Sequence, residues 1–152
     1  MRSSDDLEEI EAIFDAVLEN TARQLTRIEL RLIKPPPDAK DVVSVYLTTV
    51  GEVEARLILQ LDRSLMHALT SAMSRGKPLS NEDAIDYIKE FFNIFCGHLA
   101  AALRQVTKKR ARFGIAHFSD GPLPTVVLPN ANTVRRCYAA EQGVLRLCAF
   151  WR

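Results

Sequence analysis

Residues 86–105 read DYIKEFFNIFCGHLAAALRQ, and the side of this stretch that faces inward decides the rest of the fold. On a helix turning about 100° per residue, with Asp86 at zero, Glu90, Asn93 and Gly97 fall at roughly 40°, 340° and 20°. Ile88, Phe91, Phe92, Phe95, Leu99, Ala102 and Leu103 occupy the opposite arc, from roughly 140° to 260°. The aromatic arc is therefore expected to be buried, and the carboxylate–amide stripe to face water or a partner. Gly97 needs an explanation. A glycine inside a helix costs about 1 kcal/mol relative to alanine, and on the outer stripe it fills no tight core contact. With Ala100 and Ala101 on the next turn, it makes a shelf that another backbone can approach closely.

Working outward, Ser80 with Asp83 resembles a capping box and starts this helix, predicted over about 81–107. Upstream, Asp62 is positioned to cap a short helix over 63–75, stopped by Gly76 and Pro78. VVSVYLTTV (42–50) and VEARLILQL (53–61) flank Gly51-Glu52 and read as a hairpin. PPPDAKD (35–41) is a loop and RIELRLIK (27–34) a half-buried strand. The chain opens with a helix over about 5–25, capped by Ser3 or Ser4, with Leu7, Ile10, Phe14, Val17, Leu18 and Leu25 in a stripe. Downstream, RFGIAHF (112–118), PLPTVVL (122–128), TVRRCYAA (133–140) and VLRLCAFW (144–151) read as strands, the last two joined by a turn at 141–143. The order α-β-β-β-α-α-β-β-β-β predicts an α+β fold, a mainly antiparallel sheet with helices laid over one face.

The chain has 152 residues, a length that points to one domain, 1–152, with a substantial core. A formal net charge of +1 does not direct it to nucleic acid or to an anionic membrane. The charge is unevenly placed, with an acidic DDLEEIE (5–11) and a basic KKRAR (108–112). The basic run closes a helix, where cations suit the macrodipole, and it lacks interleaved aromatic residues for base stacking. It is read as a solvated helix end. No segment reaches the roughly 20 apolar residues of a membrane span, and MRSSDDLEE lacks a signal peptide's apolar stretch, so a cytoplasmic location is expected. Cys96, Cys137 and Cys148 have no metal-binding spacing and read as reduced, packed thiols. His67, His98 and His117 suggest neither a triad nor a zinc site. There is no phosphate-cradling Gly-rich loop.

The pattern Asp86-x-x-x-Glu90-x-x-Asn93-x-x-x-Gly97 resembles the signature of the CheX/CheC/FliY family of chemotaxis phosphatases. The likeness extends to the order of elements: an opening helix, two strands around a glycine turn, a short helix, the motif helix, then LPTVV and a closing hairpin. The motif occurs once, as in CheX-type members. The resemblance implies a CheX-like fold with three helices, the two longer ones on one face, and pairing as a homodimer. It also implies an activity, dephosphorylation of a CheY-type response regulator.

By this resemblance the regulator supplies its own Mg²⁺ and phosphorylated aspartate, and the chain needs no cofactor of its own. Asn93 would orient the attacking water: its amide can accept from and donate to water but cannot act as a general base. Glu90 would anchor a lysine of the partner. Asp86, Gly97, Ala100 and Ala101 would serve docking, the small residues by giving clearance. The alternative is a binding module of the same fold that engages a receiver or a flagellar switch component without hydrolysis.

Overall fold

The computed structural model describes residues 4–36, 41–51, 53–123 and 129–152. In chain order the elements are α1 (Ser4–Thr26), β1 (Arg31–Ile33), β2 (Val42–Val50), β3 (Ala55–Asp62), α2 (Arg63–Met73), α3 (Asn81–Thr107), β4 (Arg112–Phe113), β5 (His117–Ser119), β6 (Asn132–Ala140) and β7 (Gly143–Trp151). The strands form one seven-stranded sheet in the order β1-β6-β7-β3-β2-β4, with β5 also paired to β2, and every pairing is antiparallel.

Period-two alternation gives the sheet its two faces. In β3, Ala55, Leu57, Leu59 and Leu61 are buried while Arg56, Ile58, Gln60 and Asp62 are half-buried. Register carries this across the sheet: Leu59 lies between Val45 and Leu147, and Leu61 between Val43 and Leu145. The three helices pack together on that inner face. Ile10, Phe14 and Leu18 of α1, Leu65, Met66 and Leu69 of α2, and Ile88, Phe91, Phe92, Phe95 and Leu99 of α3 join the inner rows in one core.

The predicted strands differ from the observed ones where local chemistry competes. Only Arg31–Ile33 of 27–34 pairs, against the end of β6. The run 112–118 splits into two short strands on the edge of β2 whose registers differ by one residue; the Gly114 N–H still bonds Thr48 O at 2.9 Å, and the ladder breaks after it. Most of the predicted strand 122–128, the loop over 37–40, Glu52 of the hairpin turn and the Ser3 cap lie outside the described residues. Ser4 is already inside α1.

Two polar clamps fix the layers. Asp15 of α1 takes the Arg136 guanidinium in a forked contact (Nε to Oδ1 3.0 Å, Nη2 to Oδ2 2.5 Å), and Glu11 adds a bond at 3.3 Å. The Tyr138 hydroxyl donates to Asp15 Oδ1 at 2.5 Å. The second clamp corrects the expected cap at Asp62. Asp62 occupies the N-cap position of α2 but makes no capping bond. Its carboxylate instead accepts from the Val144 N–H at 2.8 Å and meets Arg146 at 3.5 Å, tying β3 to the start of β7. Gly143 permits this approach: its φ is +152° and a Cβ there would come within 2.9 Å of Asp62 Cβ.

Removing Asp15 would leave the Tyr138 hydroxyl without its acceptor and Arg136 with Glu11 alone at the α1–sheet seam. Asp15→Ala is expected to destabilise the domain by about 2 kcal/mol, as for lost hydrogen bonds to a charged group, measured by urea denaturation. Burial, then the Asp15 bond, pushes the Tyr138 hydroxyl above the ordinary tyrosine value of 10.0. The unfolded chain then releases that proton before the folded one does. Stability from this group is present below pH 10 and is lost as pH rises further, so Tyr138→Phe should show a shallower alkaline loss than the parent chain.

Candidate functional site

The apolar arc of α3 determines which side chains remain outside. Ile88, Phe91, Phe92 and Phe95 are completely buried, and Cys96 and Leu99 lie beside them. With that arc against the sheet, Asp86, Glu90, Asn93 and Gly97 all fall on the exposed side, as the helical wheel requires. Ala101 is exposed on the same ridge, whereas Ala100 is half-buried at its shoulder. The helix is anchored at both ends. Ser80 Oγ accepts from the Asp83 N–H at 3.1 Å, and Lys108, at φ 61°, closes the C-terminus by donating its N–H to Arg104 O.

The Asp86, Glu90 and Asn93 side chains make no hydrogen bond or ion pair with any described residue. Glu90 and Asn93 stand three apart, so their Cβ atoms lie about 5–6 Å from each other and both side chains can enter one recess. A Cβ built on Gly97 meets nothing within 4 Å. No packing demand within the chain therefore explains the missing side chain; the space beside it is open. Among the described residues no three His, Cys, Asp or Glu side chains converge as a metal site would need. No helix among them is long and apolar enough to cross a membrane.

The cysteines and histidines lie apart from this ridge. Cys96 is buried in the core, and burial pushes its thiol well above the ordinary value. Burial likewise raises Cys137 and Cys148 on the outer sheet face, which makes all three poor nucleophiles. His98 is exposed and shares a 3.3 Å contact with Thr21 Oγ1. His117 stacks on Tyr46, and Phe150 is buried under Arg135 on the outer sheet face.

Two features beside the ridge escaped the sequence reading. Leu99, Ala100 and Leu103 help line an apolar cleft of about 150 Å³ that runs between α1, α3 and the Trp151 end of the sheet. The exposed ridge also continues past Ala101 to Arg104 and Lys108, which border a shallow depression with Gln105. The same wheel places Arg104 at roughly 0°, and that was the available signal. The cleft had none, because its walls come from elements far apart in the chain.

A family model described as chemotaxis phosphatase CheX matches residues 43–141. No curated protein gives a significant match. Among solved structures, the chemotaxis protein CheX from Vibrio vulnificus superposes with a TM-score of 0.79 at 18% identity, covering 95% of this chain and 97% of that one. CheX from Desulfovibrio desulfuricans gives 0.80 at 16% identity, covering 95% and 99%. The CheX-CheY-BeF3-Mg+2 complex from Borrelia burgdorferi gives 0.73 at 15% identity, covering 93% and 96%. At these identities the structural likeness speaks for the fold alone. The family match spans more than half of the chain and takes in all of α3 with its exposed carboxylate–amide ridge, and on that ground the protein belongs to the CheX family of chemotaxis phosphatases.

Proposed function

We propose that this protein removes the phosphoryl group from the aspartyl phosphate of a CheY-type receiver domain by inserting the α3 ridge into the receiver's active site. The observation that carries the reading is the state of Glu90 and Asn93: exposed, side by side, and unengaged within the chain. A CheX of the same fold in complex with CheY supports a receiver as the partner.

The chemistry asks little of the phosphatase. In hydrolysis of an acyl phosphate, the water oxygen bonds to phosphorus as the bond to the aspartyl oxygen breaks. Inorganic phosphate leaves, and the free carboxylate remains on the receiver. The receiver supplies the phosphorylated aspartate, and the Mg²⁺ that neutralises charge there belongs to it. What remains is to hold the water in line, and orientation of this kind can lower a barrier by several kcal/mol. Asn93 does this by accepting a water O–H at its carbonyl oxygen, with its NH₂ free to donate to a phosphoryl oxygen. Glu90, one turn earlier, meets a lysine of the receiver in a charge-assisted bond that sets the depth of insertion. Asp86 adjusts docking at the entry side, and Gly97, Ala100 and Ala101 leave room for the partner's backbone. Pairing of two copies belongs to the same reading. The exposed Leu32 on edge strand β1 is a surface that pairing would cover.

Asn93→Ala is expected to abolish the accelerated loss of phosphate from a phosphorylated receiver, read as inorganic phosphate release, while leaving the melting temperature within a degree or two of the parent's. Full activity, or a collapsed fold, removes Asn93 from this role. Saturable receiver binding by the parent chain with no acceleration would favour a binding module instead. At Gly97 stability and function should separate. Gly97→Ala should stabilise the fold by up to about 1 kcal/mol. Gly97→Leu should fold equally well yet lose receiver engagement, because its side chain fills the partner's clearance.

A further inference from the structure

We propose that the C-terminal half of the same ridge is a second, electrostatic anchor. Arg104 and Lys108, backed by Lys109, Arg110 and Arg112, would engage an acidic patch on the rim of the receiver whose active site takes Asn93. The inference rests on the docking reading above and adds to it an orientation and a source of partner selectivity.

Four observations lead there. First, these cations are unspent: the ion pairs among the described residues use Arg23, Arg63, Arg136, Arg146 and Arg152, and none of the five. Arg104, Lys108, Lys109, Arg110 and Arg112 are all exposed. Second, Arg104 lies on the wheel within roughly 20° of Asn93, and Lys108, the left-handed cap, borders the same depression as Arg104. The helix dipole favours cations at this end but is indifferent to which face carries them, and it does not account for three more beyond the last turn. Third, the reach is right. Eleven residues separate Asn93 from Arg104, about 16 Å at 1.5 Å per residue. A standard footprint of about 800 Å² per partner has a radius close to 16 Å. Arg104 therefore falls on the rim of any interface centred on Asn93. Fourth, the shallow depression lined by Ala101, Arg104, Gln105 and Lys108 gives a projecting side chain a seat between the small-residue shelf and the cations.

The ridge as a whole is electrically polar. Glu82, Asp83, Asp86 and Glu90 lie toward its start, Asn93 and Gly97 in the middle, and Arg104 and Lys108 at its end. A receiver with a lysine in its pocket and carboxylates on the facing rim fits one way round, and the reversed pose sets like charges together. Rim charges act mainly on encounter rate and salt dependence.

The test uses the full chain and a panel of receiver domains phosphorylated with acetyl phosphate. The Arg104→Glu/Lys108→Glu double variant is expected to raise KM about five- to tenfold at low salt with kcat unchanged, and to flatten the salt dependence of the parent. Arg104→Gln/Lys108→Gln should show a smaller shift in the same direction, which guards against misfolding of the reversed-charge chain. Arg75→Glu, exposed in the turn after α2, should change neither constant. Unchanged KM in a parent that is active overturns the anchor and leaves the phosphatase reading standing. If no receiver is hydrolysed, receiver binding at two salt concentrations decides: salt-sensitive binding lost in the double variant supports the anchor without catalysis, and no binding overturns it. Binding of unrelated duplex DNA lost in the same variants, with receiver affinity unaffected, also overturns it.

Discussion

The structure depends on the burial of one helical arc. Ile88, Phe91, Phe92, Phe95 and Leu99 of α3 are sealed against the inner rows of the sheet. Each large apolar side chain moved out of water contributes roughly 1.5–3 kcal/mol. Rotating α3 by even a quarter turn would expose several of them, so the rotation of the helix is held far more tightly than any surface contact could hold it. The ridge that carries Glu90 and Asn93 inherits that precision. The proposed role, orienting a water, would gain from a rigid element, because a misplaced water is no longer aligned with phosphorus.

The polar clamps serve the same end. Asp15 ties α1 to β6 through Arg136 and Tyr138, and Asp62 ties β3 to β7 through the Val144 N–H. Among the described residues, no buried side-chain nitrogen or oxygen is left without a partner. The side chains of Glu90 and Asn93 on the α3 ridge are exposed and make no bond to any described residue. The chain satisfies its polar groups where layers meet and leaves them open where another protein is expected. The division of labour in the proposed reaction follows: the partner provides the activated bond and the charge to be neutralised, and this chain provides a fixed amide.

The α3 site was legible in the sequence because a helix converts spacing into direction. Asp86, Glu90, Asn93 and Gly97 share a stripe whatever the rest of the chain does, and the phenylalanines state which way that stripe faces. The closing hairpin was legible for a related reason: alternation in β6 and β7 and a short polar turn leave one register that buries Val134, Leu145, Leu147 and Ala149 together. The edge was not. Arg112–Phe113 and His117–Ser119 read as one strand, and only their pairing to β2, offset by one residue after Gly114, shows that the ladder breaks there. Asp62 looked like a cap because capping is a local rule; a backbone N–H from a strand eighty residues away was the stronger claimant.

The sequence by itself determined the three helices, the hairpin of β2 and β3, the closing hairpin, the inward face of α3 and the residues of its outer ridge, because periodicity acts within a few turns of backbone. Tertiary structure alone decided the strand order, the Asp15 and Asp62 clamps, the apolar cleft beneath Ala100 and the freedom of Glu90, Asn93 and the basic end from internal partners. Those features depend on which distant segments meet, and no local pattern encodes a contact whose two halves lie in different parts of the chain.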